Sequence, residues 1–263
     1  MLFRSPFNLR NGMANGNFNV KPTEIRVIPG DVGGSFGMKS GVHVEEVFVT
    51  WAARKLNRPV KWRGDRGETF VSDYHGRDQV NHAEMGFDKD GKIVAMKLAT
   101  LVNVGAYLSE NGVRLPMEGG GRIIPCVYHV PDFYFSVKPV FTHTICTDTY
   151  RGAGRPEANY IMERLMDAGA KATGLSRDEI RRRNYITQAQ MPYKTPTEKV
   201  YDSGEFAEHM ARAKEVGDWD GFRKRFAESK KAKKLRGIGL ATYIEACGGM
   251  GPDRKSTRLN PVT

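Results

Sequence analysis

Val44, Val47, Phe48, Trp51, Ala52 and Leu56 recur at helical spacing and predict an amphipathic helix over residues 42–57. A short β-type run at 24–28 precedes it, ended by Pro29-Gly30, and Pro59-Val60-Lys61-Trp62 reads as a strand after it. With the glycine-rich stretch 31–41 these make a strand–glycine loop–helix–strand unit. Residues 79–87 and 92–105 are extended in pattern. Asp88-Lys89-Asp90-Gly91 between them has hairpin-turn chemistry. Residues 132–141 supply a further strand. A helix over 156–174 follows, lined by Ile161, Met162, Leu165, Met166 and Gly169. Ser176-Arg177-Asp178-Glu179 is a capping box that opens a short basic helix. The proline-rich, polar stretch after it reads as a linker. Helices over 205–216 and 219–230 and a strand over 235–245 complete the pattern. The class is mixed α/β, with no internal repeat.

The densest chemistry lies in Thr149-Tyr150-Arg151-Gly152-Ala153-Gly154-Arg155, just before Pro156. Small residues let a ligand reach the main chain, and proline suits the first helical position. The free N–H groups of the following helix would carry the positive end of its dipole, roughly half a unit charge. That arrangement calls for a small, anionic ligand. The alternative is that Arg151 and Arg155 pair with nearby acids such as Asp148 and Glu157. The earlier loop, Gly33-Gly34-Ser35-Phe36-Gly37-Met38-Lys39-Ser40, lacks P-loop spacing because Met38 stands before Lys39. Nor does it match the dinucleotide fingerprint. By itself it is a structural turn or a cofactor cradle, with both readings open.

Composition narrows the field only modestly. The 263 residues allow one large or two modest domains. Hydrophobic residues at 40% are ordinary for a globular protein. No apolar run reaches the roughly 20 residues of a membrane span. No segment has signal-peptide character, so the expected location is cytoplasmic. Cys126, Cys146 and Cys247 are far apart, and the six histidines are scattered. This argues against a zinc site, a disulfide framework or an iron–sulfur cluster within this chain. A net charge of +11 raises a nucleic-acid reading. The charge is clumped at 223–236, where Arg223, Lys224, Arg225, Lys230, Lys231, Lys233, Lys234 and Arg236 face the single acid Glu228. Such a run suits a solvated helix face or a linker better.

Taken together, the two loops resemble those of the molybdenum hydroxylases, the large subunits of xanthine dehydrogenase, aldehyde oxidase and aerobic carbon-monoxide dehydrogenase. Asp31-Val32-Gly33-Gly34-Ser35-Phe36-Gly37-Met38-Lys39 is similar to the family's Gly-Gly-(Gly/Ser)-Phe-Gly-x-Lys loop. Residues 51–62, 150–158 and Met191-Pro192-Tyr193 with Tyr201-Asp202-Ser203-Gly204 also match, in order. The resemblance implies molybdopterin with molybdenum, in bacteria usually as the cytosine dinucleotide. Gly34, Ser35, Phe36 and Gly37 would line one side of the site. Arg151, Gly152 and Ala153 would hold the cofactor from the other. It further implies hydroxylation of an aldehyde or N-heterocycle carbon with oxygen from water, aided by a glutamate base. Electrons would pass to a 2Fe-2S small subunit and an FAD-binding medium subunit, in a dimer of heterotrimers.

The family's base glutamate lies near the C-terminus of its large subunit. Glu245 stands too early to be it, so no catalytic base is expected in this chain, which should be inactive as written. Carbon-monoxide dehydrogenases carry a copper-binding cysteine directly after the loop arginine. Here that position is Gly152, which argues against carbon monoxide. Cys146 is expected to be a buried thiol. The resemblance divides the chain into an N-terminally truncated first molybdopterin-binding domain (1–187), a linker (188–204) and the start of a second such domain (205–252). Asp253-Arg254-Lys255-Ser256-Thr257-Arg258-Leu259-Asn260 matches the translation of a common sequencing-adapter read, so 253–263 are expected to be an artefact. A basic nucleic-acid-binding domain and a non-catalytic paralogue of the family are the alternatives.

Overall fold

The computed structural model describes residues 6–39 and 41–245. Cys247 and the stretch 253–263 lie outside them. The helices α1 (Pro6–Gly12), α2 (Val44–Leu56) and α3 (Arg66–Ser72) lead into strands β1 (Gln79–Phe87), β2 (Ile93–Gly105) and β3 (Asp132–Phe141). Then come α4 (Arg155–Thr173), α5 (Arg177–Asn184), a hairpin of β4 (Tyr193–Lys194) and β5 (Val200–Tyr201), α6 (Phe206–Val216) and α7 (Phe222–Lys231). β2 is the centre of a three-stranded sheet, antiparallel to β1 and parallel to β3. The β1–β2 turn is closed by Asp88, whose carboxylate accepts from the Asp90 and Lys92 amides.

Alternation along β2 builds the core. Met96, Leu98, Thr100, Val102 and Val104 are buried, while Val94, Lys97 and Leu101 are exposed. Over this face lies α4, contributing Ala158, Ile161, Met162, Met166 and Ala170. Each large side chain so buried contributes roughly 1.5–3 kcal/mol. The crossover from β2 to β3 adds Ile124, Val127, Tyr128 and Val130 to the same cluster.

One charge sits inside this apolar layer. Arg181 of α5 is fully buried, and its Nη2 lies 2.8 Å from Glu163 and 3.0 Å from Asp167, both on α4. Its Nη1 donates to the Arg177 carbonyl at 2.8 Å. The Glu163 carboxylate also accepts from the Tyr128 hydroxyl at 2.5 Å and from Thr242 at 3.2 Å. Burial, and after it the Glu163 charge, pushes the Tyr128 phenol well above its ordinary range. Thus Tyr128 stays protonated and donates.

Several sequence expectations are corrected. Residues 24–28 and 59–62 form no strand, so the strand–loop–helix–strand unit reduces to a loop and a helix. β-type side chains alone do not make a strand where no neighbouring strand takes up the backbone groups. Residues 235–245 likewise form no strand. They lie against α4 through Ile244 N–H to Asn159 Oδ1 (3.3 Å) and the Thr242 bond, with Leu240 and Ile244 packed on the core. The stretch expected to be a linker holds the β4–β5 hairpin, with Thr195 buried. At α5 only half of the capping box forms. Ser176 Oγ accepts from the Glu179 amide at 3.4 Å, while the Glu179 carboxylate turns to Arg182 and Arg183. Hydrogen bonds from those arginines hold the Glu179 carboxyl down at about 2. The helix α3 was not anticipated, although Asp65 and Glu68 cap it reciprocally.

Replacing Arg181 by Met should deprive Glu163 and Asp167 of their buried counter-charge and destabilise the chain by about 3 kcal/mol. Urea unfolding checks this, with Arg182→Met on the exposed face of α5 expected to shift stability by less than about 0.5 kcal/mol.

Candidate functional site

The two glycine loops, far apart in sequence, meet in space. The Arg151 N–H donates to the Phe36 carbonyl at 2.8 Å. Gly37 sits so close to the second loop that a Cβ there would lie 2.9 Å from Thr149 Cγ2 and 3.1 Å from the Thr149 carbonyl oxygen. Glycine is what lets the backbones approach. Both loops are conformationally unusual. Phe36 is left-handed (φ 52°) between Gly34 and Gly37, and the run Gly152-Ala153-Gly154 has φ of 95°, 47° and 90°. Non-glycine residues hold such angles only where their surroundings impose them, commonly at ligand sites. The first loop is anchored at its far end by Lys39, which pairs with the buried carboxylate of Asp73 just after α3.

The two loop arginines part ways. Arg155 pairs with Glu245 at 3.1 Å, rather than with either acid expected from sequence. Arg151 is exposed, and among the described residues its guanidinium has no acidic partner. Asp148 is instead engaged by the amides of Asn111 (3.1 Å) and Thr149, and Glu157 by Arg77 at 3.7 Å. Among the described residues the N–H groups of Gly34, Ser35, Phe36 and Gly152 also have no protein acceptor, whereas the Gly37 N–H makes a long bond of 3.4 Å to Ser35 Oγ.

The helix terminus itself is less open than its sequence implies. Gly154 caps α4 in the left-handed region, and the first-turn amides of Arg155 and Ala158 are taken by the Gly152 and Gly154 carbonyls at 3.1 Å. Gly119-Gly120-Gly121, in the β2–β3 crossover, covers the rest. A Cβ on Gly154 would fall 2.5 Å from the Gly120 nitrogen. Donors are therefore offered by the loops more than by the helix end. Behind the second loop lies a cavity of about 40 Å³, lined by Arg77, Asp148, Tyr150, Ala153, Gly154 and Glu157 among others. It has room for a few waters but not for a pterin, so a cofactor would lie on the open side of the loops.

Sequence reasoning missed the glycine triplet and Arg77. The triplet had a signal, since three consecutive glycines mark close backbone approach. Arg77 had none. Cys146, expected to be buried, is half-buried; Cys126 is buried, and burial pushes its thiol well up. The basic run falls on α7 and the turn after it, where Arg225 pairs with Asp218 and Arg236 donates to Ser229. Among the described residues no group of His, Cys, Asp and Glu is placed to hold a metal ion, and no helix is long and apolar enough to cross a membrane.

Sequence comparison identifies the kind of domain that carries these paired loops. The molybdopterin cofactor-binding domain model matches residues 3–185, and the chain belongs to that family. It is 33% identical over 238 residues to the 6-hydroxypseudooxynicotine dehydrogenase complex subunit gamma of Paenarthrobacter nicotinovorans, covering 88% of this chain and 30% of that one. It is 31% identical to the carbon monoxide dehydrogenase large chain of Hydrogenophaga pseudoflava, covering 89% and 30%. Among solved structures, quinoline 2-oxidoreductase from Pseudomonas putida 86 superposes with a TM-score of 0.81 at 31% identity, over 86% of this chain and 29% of that one. The chain thus spans about 30% of the length of the curated relatives it matches.

Gly154→Ala should force the Gly120 backbone away and cost about 2 kcal/mol, read as a lower melting temperature. Gly33→Ala, where a Cβ meets nothing within 4 Å, should stay within about 0.5 kcal/mol of wild type.

Proposed function

We propose that the chain supplies the molybdopterin-cradling part of a molybdenum hydroxylase large subunit. The observation that carries this reading is the junction of the Phe36 and Arg151 loops, with the Arg151 guanidinium left, among the described residues, without an acidic partner. The residues fit the group. Molybdopterin is anionic and rich in oxygen, and the junction offers loop N–H groups from Gly34, Ser35, Phe36 and Gly152 beside a cation. A charge-assisted bond to an anion contributes roughly 1.5–3 kcal/mol. When bound, the cofactor supplies the two-electron redox chemistry at molybdenum, in bacteria usually as the cytosine dinucleotide.

The work assigned to this chain is binding and exclusion. Arg151 neutralises cofactor charge, and the Phe36 loop and Gly152-Ala153 hold it from two sides. Gly37 keeps the loops close enough to do so together. The substrate class we assign is an aldehyde or an N-heterocycle, hydroxylated with oxygen from water. Electrons would leave through 2Fe-2S and FAD partner subunits, in a cytoplasmic assembly. Carbon monoxide is disfavoured, because Gly152 has no thiol to hold copper. A Cβ there would also sit 2.5 Å from Pro156 Cγ in a left-handed turn.

The full chain, expressed in cells replete in molybdenum cofactor, should co-purify with molybdenum and a pterin, measured by mass spectrometry and by fluorescence after oxidation. Arg151→Met should lower both by about tenfold. Wild-type protein carrying neither would overturn the assignment. In the assembled enzyme, heavy-oxygen water should label the hydroxylated product; label arriving from dioxygen would refute the hydroxylase reading.

A further inference from the structure

Arg77 lies between α3 and β1, and it is left-handed (φ 63°) without being glycine. Among the described residues its guanidinium reaches the second loop and the first turn of α4. Nη2 donates to the Arg151 carbonyl, Nε lies 3.7 Å from Glu157 in the first turn of α4, and the group stacks 4.6 Å from the Tyr150 ring centroid. Tyr150, Arg151 and Glu157 bracket the left-handed run Gly152-Ala153-Gly154. The backbone of Arg151 is consequently held on both sides, its N–H by the Phe36 carbonyl and its C=O by Arg77. The Arg151 guanidinium, by contrast, has no acidic partner among the described residues.

We propose that Arg77 is a positioning residue, a clamp that keeps the 150–157 turn closed so that the Arg151 guanidinium and loop amides are held ready for the cofactor. Its role toward the cofactor rests on the molybdopterin reading of the junction; the clamp itself does not. An arginine suits the task because its planar fork can serve a carbonyl, a carboxylate and an aromatic face at once, which an ammonium cannot. The left-handed backbone at Arg77 is consistent with a residue held in place by these contacts rather than by local preference.

Trypsin tests the clamp on the full chain, without reference to activity. Cleavage after Arg151 requires the turn to open into an extended strand, so its rate reports local opening. Arg77→Met should speed that cut about tenfold, while cuts at Arg223 and Lys224 in α7 keep their wild-type rates. Pterin content after expression in cofactor-replete cells should fall about tenfold at an unchanged melting temperature. Arg77→Lys should restore part of both, and Glu157→Gln, which leaves the bond to Arg151, should fall between. An unchanged cut at Arg151, or equal acceleration at Arg223 and Lys224, would overturn the clamp. Faster cutting with wild-type pterin content would overturn its role in holding the cofactor. Wild-type protein without pterin would refute the cofactor reading alone, and the trypsin comparison would still decide the clamp.

Discussion

The arrangement of this domain depends on the burial of one guanidinium. Removing Arg181 from water is expensive, by several kcal/mol, unless nearly every donor finds an acceptor. Glu163 and Asp167 on α4 and the Arg177 carbonyl on α5 supply them. Those acceptors exist only in one rotation and one height of α4 against α5. Apolar contacts such as Met162 and Met166 on β2 tolerate small slides; a buried ion pair does not. By fixing α4 along its axis, the network also fixes where the Tyr150–Gly154 turn begins.

The same network reaches further through Glu163, which is shared with Tyr128 and Thr242. Tyr128 belongs to the crossover that carries Gly119-Gly120-Gly121 over the start of α4, and Thr242 to the segment whose Glu245 pairs with Arg155. The helix is therefore tied near its middle and at its N-terminal end by the same two stretches of chain. The loops of the junction project from a scaffold with little freedom.

Much of this was legible in the sequence where a pattern was local. β1 and β3 appear at the residues their extended pattern marks, and α4 begins within one residue of Pro156. The two loops stood out in the sequence because glycines cluster there beside charged residues, but their meeting in space was not visible in the spacing. What was not legible is tertiary. The run at Ile25, Val27 and Ile28 has strand composition, but among the described residues no strand pairs with it. The prolines and polar residues of 188–204 gave no sign of the short β4–β5 hairpin there or of its buried Thr195. Arg77 carries its meaning entirely in contacts with residues some seventy positions later, and no spacing rule exposes that. Glu245, set aside as a base on its position in the chain, proves to be the partner of Arg155.

The bond between Arg151 and Phe36 has a consequence for how the molecule comes together. Its two ends are separated by two helices, the whole sheet and the crossover, so chain-closure entropy opposes it until the intervening elements are packed. Contacts of such long sequence separation are the slow ones to form. The β1–β2 hairpin can form early from neighbouring residues, and α4 can dock on it. The junction comes into being only once both are in place, so the geometry that would receive a ligand is also a record that folding is complete.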